Sequence, residues 1–200
     1  MLEYKVLKGK EIRNYISIVS HFRIDNFKEF PYLYKGNMKY EREYLEGFSS
    51  NLESRLVLVY DNKKVIGIST SLPFLSEYDI LEDGPSLIKS MGKDPKHFFY
   101  FGEVVISTTY REKGICKKIF RIQEEIAKKL NYKNICFLTV AREKNDPRMP
   151  GDYANPSSIW NSLGYKVVEE KILNFEWPTI HIDGSVKNIE NPMKFWVKEL

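Results

Sequence analysis

The spacing of apolar residues along the chain changes period several times, and each change marks an element. Residues 3–7 read as a short strand. Ile12, Tyr15, Ile16, Val19 and Phe22 fall at spacings of 3, 1, 3 and 3, which predicts a helix over 10–22 with one apolar face. The stretch FKEFPYLYKGN (27–37) is broken by Pro31 and Gly36, and a second helix follows at about 38–48 with Tyr40, Tyr44, Leu45 and Phe48 on one side. In RLVLVYDNKKVIGISTSLPF (55–74) two β-rich runs flank Asp61-Asn62, the signature of an antiparallel hairpin. Residues 75–96 read as an excursion with a short helix near 86–91. FFYFGEVVIS (98–107) is apolar almost without a break, as in a strand covered on both faces. Ile115, Ile119, Ile122, Ile126 and Leu130, at spacings of 4, 3, 4 and 4, give the clearest amphipathic helix, and NICFLTV (134–140) is a second buried strand. Residues 98–140 therefore predict a right-handed βαβ crossover. A long, polar, proline-rich loop follows, AREKNDPRMPGDYANP (141–156). NPSSIWNSLGY (155–165) carries helix punctuation, with Asn155 as cap, Pro156 at the first helical position and Gly164 past the end. Residues 165–178 and 193–199 predict a closing hairpin joined by a polar connection containing Gly184.

Composition changes this picture little. The 200 residues are 42% hydrophobic and 29% charged, ordinary for a globular chain, and a single domain over 1–200 is expected. The net charge of +4 comes from interleaved acids and bases, and no basic, aromatic surface cluster stands out, so a nucleic-acid partner is not expected. The two cysteines, Cys116 and Cys136, and three scattered histidines make no metal-ligand pattern or disulfide framework. No apolar run has membrane-spanning length and no signal-peptide pattern opens the chain, so the expectation is a cytoplasmic protein without a membrane partner.

Chemistry concentrates in STTYREKGICKKIF (107–120). Arg111, Lys113, Lys117 and Lys118 outweigh Glu112 where a helix begins, and cations there oppose the helix dipole. An anion held by the free N–H groups of the turn resolves the conflict, and Gly114 lets the backbone approach it closely. The plain alternative is a solvated lysine face beside a simple turn. Neither the GxxxxGK[ST] nor the GxGxxG phosphate motif is present. Glu103 is an acid in a strand that otherwise reads as buried; it either has a role in proton transfer or meets solvent or a lysine at the strand's end.

After a buried strand, YREKGIC resembles the R/Q-x-x-G-x-G/A motif of the GNAT superfamily of acyl-CoA-dependent N-acyltransferases, with Arg111, Gly114 and Cys116 at its three positions. The late helix ending in Leu163-Gly164-Tyr165 and the order of elements also resemble that family over nearly the whole chain. A closer resemblance is to a bacterial GNAT group sharing EFPYLY (Glu29–Tyr34), FYFGE (Phe99–Glu103), a tryptophan in the late helix (Ile159-Trp160) and PMxFW (Pro192–Trp196). The resemblance implies an α/β (α+β) GNAT fold: a mixed sheet of about seven strands flanked by helices, with a splayed central strand pair and a βαβ cofactor unit. It implies acetyl-CoA as cofactor and no metal. The pyrophosphate would lie on the turn of Arg111, Glu112, Lys113, Gly114, Ile115, Cys116 and Lys117. The pantetheine arm would run along Val104, Val105 and Ile106 and beside Asn155 and Trp160. Three positions depart from the family: Cys116 stands for a glycine or alanine, Thr108 for a proline, and Trp160 where many members carry a tyrosine proton donor.

The implied reaction is acetyl transfer to a primary amine of a small molecule or peptide. Free alkylamines are mostly charged near neutrality, so a base is needed, and Glu103 is the candidate. A backbone N–H between Val104 and Ile106 would stabilise the oxyanion. With Trp160 unable to protonate the leaving thiolate, Tyr165 and Tyr153 are the candidates. Phe30, Tyr32 and Tyr34 would wall the acceptor pocket, or plug a helix–sheet junction. A different class of function also fits, a catalytically silent acyl-CoA-binding sensor or scaffold, which Trp160 favours. Edge strands near 171–199 allow a homodimer.

Overall fold

The computed structural model describes residues 1–77 and 83–200. Strand β1 (Leu2–Lys8) leads through a 3-10 segment (Gly9–Tyr15) into helices α1 (Ile16–Phe27) and α2 (Met38–Ser50). The hairpin β2 (Arg55–Asp61) and β3 (Lys64–Pro73) follows, then helix α3 (Gly84–Ser90), strand β4 (Phe98–Ile106), helix α4 (Ile115–Lys129) and strand β5 (Asn134–Val140). Helix α5 (Ser157–Ser162) precedes the final hairpin, β6 (Lys166–Ile180) and β7 (Val186–Glu199). Among the described residues these seven strands make one mixed sheet in the order β1-β2-β3-β4-β5-β7-β6. All neighbours are antiparallel except β4 and β5, which α4 joins as parallel strands. This order and the single parallel pair agree with the mixed sheet of about seven strands and the βαβ unit that the family resemblance implied.

Strand periodicity divides the core between the two faces. Phe98 and Tyr100 of β4, Cys136 and Leu138 of β5, and Met193 and Phe195 of β7 pack with Val19 of α1 and Leu45 and Phe48 of α2. Phe99, Phe101, Ile135, Phe137 and Trp196 pack on the other face against Phe120 and Ala127 of α4. Because both faces of the central strands are covered, β2 and β5 show near-continuous apolar runs rather than alternation, and β3 is buried almost throughout even across Ser69, Thr70 and Ser71.

The structure differs from the sequence expectation in four places. The first helical stretch begins as a 3-10 segment, and its α-helical part runs later, to Phe27. The inward positions of α4 are Ile115, Ile119, Phe120, Gln123 and Ala127, so Ile122 and Ile126 are only half-buried. Gln123 turns inward because its amide is fully engaged: Ser71 Oγ donates to its Oε1 at 2.6 Å and its Nε2 donates to Ser69 Oγ at 3.0 Å. Pro156, not Asn155, occupies the cap position of α5, while the Asn155 side chain accepts from Ser157 N at 2.9 Å. The final strands reach Ile180 and start again at Val186, where a longer polar connection was expected. That end of the hairpin projects past β5, which pairs only with Met193–Glu199; Leu173, Phe175 and Trp177 of β6 still alternate toward the core, while residues 186–190 of β7 are mostly exposed. Part of the expected 75–96 excursion, residues 78–82, lies outside the described residues.

Gln123→Ala leaves the buried hydroxyls of Ser69 and Ser71 without their shared partner. Unfolding free energy is expected to fall by about 1–3 kcal/mol, measured by urea denaturation with an unchanged m-value.

Candidate active site

Two irregularities in β4 make the site. The first is a departure from its neighbour. β4 pairs with β5 only from Phe98 to Phe101, opposite Asn134 to Phe137, whereas β5 stays paired with β7 to Val140. Beyond Phe101 the strands splay, and the edge of β4 that faces β5 is left without a strand partner. The gap is a cleft of about 440 Å³ whose lining includes Val104, Cys116, Leu138, Tyr153, Asn155 and Trp160.

The second is an extra residue. Thr70 of β3 lies opposite Glu103 and Ser71 opposite Phe101, so Gly102 is bulged out of the ladder. A Cβ at Gly102 would lie 2.5 Å from Thr70 Oγ1, which explains the glycine. The bulge shifts the alternation of the strand. Before it, Phe99 and Phe101 face α4; after it, Val105 packs in the cluster of α1 and α2. Glu103, which unbroken alternation would send toward α4, instead meets Arg23 of α1.

Arg23 joins two acids. Its Nη1 donates to Glu103 Oε2 and its Nε to Glu41 Oε2, while its guanidinium lies over the rings of Tyr44 at 4.9 Å and Phe27 at 5.2 Å. Glu41 is completely buried and Glu103 is only 8% exposed. Burial raises the Glu103 carboxyl above its ordinary value, with the charge of Arg23 acting in the opposite sense. Burial works against the guanidinium charge, but Glu103 and Glu41 hold the Arg23 pKa above its usual value. Glu103 Oε1, Glu41 Oε1 and Thr70 Oγ1 are buried; the Thr70 hydroxyl lies close enough to Glu103 to oppose the effect of burial on its carboxyl, and Tyr34 lies close to Glu41, though neither contact has full hydrogen-bond geometry.

Glu103 also borders a second, larger cavity, of about 840 Å³, between α1, α2, the 28–37 loop and β6. Its walls include Phe27, Tyr32, Tyr34, Tyr44, Tyr100 and Trp177. Among the described residues, only Tyr32, Gly102, Glu103 and Leu138 line both the cavity and the cleft. Burial pushes the Tyr32 phenol up to about 12 and raises Tyr34, Tyr44 and Tyr100 as well, so all four stay protonated near neutrality. The 28–37 loop is pinned to the rest of the site. Arg142 donates to the carbonyls of Pro31 and Tyr32 at 2.8 and 3.1 Å, and Trp177 Nε1 donates to the Tyr32 carbonyl at 3.2 Å. Lys35 N donates to Pro178 O at 2.8 Å, and Tyr34 bridges to Thr179.

The anion turn lies at the start of α4. Glu112 and Gly114 are left-handed, with φ of 63° and 77°. Among the described residues, the N–H groups of residues 115–117 are donated to no carbonyl of the chain, as expected of a first helical turn without a side-chain cap. The basic side chains are less concentrated than their sequence positions implied. Arg111 turns toward α1, with Nε on Ile106 O at 3.2 Å and Nη2 on Asn26 Oδ1 at 3.3 Å and Glu29 Oε2 at 3.4 Å. Lys113 Nζ donates to Thr109 O at 2.9 Å. Ile115 is buried in a small core cluster with Ile119, and Lys117 is exposed. Cys116 borders the cleft with its thiol pushed up to about 11 by burial, so it is an unreactive neutral group.

Several expected site residues lie elsewhere. Tyr165 is 1% exposed, packs among Phe120 and Phe137, donates its hydroxyl to Glu124 Oε1 at 2.9 Å and borders neither the cleft nor the cavity. Its place after Gly164 returns the chain under α4 rather than into the cleft. The ring of Phe30 likewise lines neither space; it meets the Tyr153 ring edge-on at 4.7 Å. The side chains of Val105 and Ile106 point into the packed core, and only Val104 borders the cleft. Trp160 packs against Phe137 and Trp196. The sequence reading missed Arg23 and Glu41. Both had a visible signal, a charge on an apolar helix face: Arg23 follows Val19 by four, and Glu41 precedes Leu45 by four.

Among the described residues no group of three or more His, Cys, Asp or Glu side chains is placed to hold a metal, and no helix is long and apolar enough to cross a membrane. A family model described as the acetyltransferase (GNAT) family matches residues 21–150, and the chain belongs to that family. A search among curated proteins gave no match. Solved structures with the same fold include Arabidopsis thaliana NAA60 in complex with acetyl-CoA, at 13% identity and a TM-score of 0.64 over 100% of this chain and 99% of that one. The ribosomal-protein-alanine N-acetyltransferase of Brucella melitensis is similar at 13% identity and a TM-score of 0.61, over 98% of this chain and 99% of that one. An N-acetyltransferase from Staphylococcus aureus Mu50 is similar at 14% identity and a TM-score of 0.59, over 98% of each chain.

Gly102→Ala is expected to lower stability by about 1–3 kcal/mol through the contact with Thr70 Oγ1. Adding Thr70→Ala, which removes that oxygen, is expected to restore most of the loss; a double-mutant cycle by thermal denaturation measures the coupling.

Proposed function

We propose that this chain is an N-acetyltransferase, one domain over residues 1–200, that transfers an acetyl group from acetyl-CoA to a primary amine with Glu103 as general base. The observation that carries this reading is the position of Glu103 where a cleft for the cofactor opens onto a cavity for the acceptor. The cofactor fits what the chain offers. The N–H groups at the Gly114 turn suit a pyrophosphate, the unpartnered edge of Val104 to Ile106 suits the pantetheine amides, and Asn155 and Trp160 border the arm's path. Bound acetyl-CoA supplies an acyl group already activated as a thioester.

The remaining steps belong to the protein. Glu103, whose carboxyl burial raises against the charge of Arg23, takes the proton of the incoming ammonium when it is ionised. A free N–H on the splayed edge of β4 would stabilise the developing oxyanion. Tyr153 borders the cleft, burial keeps its phenol protonated, and Phe30 braces its ring, so it is the proposed donor to the leaving sulfur in place of Tyr165. Arg111 would act by tying the anion turn to α1. Tyr32 and Tyr34 would wall the acceptor side. A second reading, a silent acyl-CoA-binding module, draws support from Trp160 at the usual tyrosine position.

Saturating acetyl-CoA should raise the melting midpoint by several degrees; no shift would remove both readings. Thiol release with an amine panel then separates them, since the silent module gives none. Glu103→Gln should lower turnover by about 10²–10⁴-fold. The base works only when ionised, so kcat/KM should fall as pH drops through the Glu103 pKa. That acid limb should lie above the ordinary glutamate value of about 4.3, because burial raises this carboxyl. A pH–rate profile measures it, and full activity at pH about 4 would withdraw the assignment.

A further inference from the structure

The buried Arg23–Glu41–Glu103 cluster sets two carboxyl groups against one guanidinium, so with both ionised it carries one negative charge beyond neutrality. Glu103 Oε1, the oxygen that Arg23 does not engage, belongs to a side chain that is 3% exposed and lines the acceptor cavity. A buried surplus charge must be met by a proton or by a bound cation. Glu77, buried on the same cavity, accepts from the Tyr44 hydroxyl at 3.1 Å. Among the described residues the cations that line the cavity are Arg23, Lys35 and Lys39. Arg23 is engaged by its two carboxylates, and Lys35 and Lys39 are exposed at the mouth, where Lys39 lies 4.0 Å from Glu43. The inner walls are rings: Phe27, Tyr32, Tyr44, Tyr100, Phe175 and Trp177. Arg23 already lies over Phe27 and Tyr44, and Phe27 stacks on Tyr32, which leaves Tyr100, Phe175 and Trp177 as the further rings able to attract a cation and stack on a flat frame.

An ammonium beside Glu103 meets the surplus charge. A zwitterion meets it less well, because its own carboxylate, next to the amine, brings back a negative charge beside Arg23, the cation already engaged by Glu103 and Glu41. We propose that the acceptor is a carboxylate-free amine on an aromatic frame, an arylalkylamine, and that the cavity rejects the corresponding amino acid. This rests on the reading of the cavity as the acceptor site.

The test is isothermal titration calorimetry on the full chain with coenzyme A present, using matched pairs that differ by the carboxylate: tyramine and tyrosine, phenethylamine and phenylalanine, tryptamine and tryptophan. The amine of at least one pair should bind about 30-fold or more tightly than its amino acid. Glu41→Gln removes a charge from behind the cavity without touching its wall, since Glu41 is not among the lining residues. It should bring the ratio below about 5-fold, with coenzyme A binding retained as proof of folding. Equal or tighter binding of the amino acids, binding by none of the amines, or a ratio unchanged in Glu41→Gln would each overturn the proposal. Binding is read without turnover, so discrimination without thiol release would count against acyl transfer alone, and thiol release without discrimination against this proposal alone.

Discussion

The site depends on one extra residue in the middle of a buried strand. A strand places its side chains alternately, so inserting Gly102 reverses the face of every residue after it. Without the bulge, Glu103 would lie among the rings under α4. With it, Glu103 meets the guanidinium of Arg23 on the opposite side of the sheet. The same stretch is where β4 parts from β5, so the carboxylate comes to the point where cleft and cavity join. Bulge and splay act together: one aims the side chain, and the other leaves main-chain groups for a ligand to pair with.

A charge so placed needs support, and the fold provides it from three directions. Arg23 comes from α1, Glu41 from α2, and the rings of Phe27 and Tyr44 cover the guanidinium. Removing Arg23 would leave two buried carboxylates without their shared counter-charge, which is costly. The arrangement therefore fixes the positions of both helices against the sheet while it holds Glu103 in one orientation. The 28–37 loop closes the other side, and its hold comes mainly from main-chain carbonyls that accept from Arg142 and Trp177. Such a loop keeps its course whatever its own side chains do, which leaves Tyr32 and Tyr34 available to face the cavity.

The anion turn works by backbone rather than by side chains. Two of the basic residues that draw attention in the sequence are turned onto carbonyls of the chain itself, and Arg111 links the turn to the end of α1. What remains for an anion is the set of N–H groups that the left-handed Gly114 and the first turn of α4 leave without acceptors. Cys116, in the first turn of that helix, adds bulk at the edge of the cleft rather than a nucleophile.

The sequence by itself determined the order and kind of most elements, because their apolar periods are long and uninterrupted. The hairpin at Asp61-Asn62, the strands at 98–106 and 134–140, the helix after Gly114 and the parallel crossover between those strands could all be read from residue spacing. It also marked Glu103 as an acid in an apolar run. Tertiary structure alone decided which way Glu103 points, because a bulge is defined by the partner strand and Thr70 lies 33 residues away along the chain. It alone joined Arg23, Glu41 and Glu103, and it alone took Tyr165 out of the cleft and buried it beneath α4. Local spacing fixes which face of an element is apolar; the facing element supplies the charge or hydroxyl that a polar residue on that face must meet.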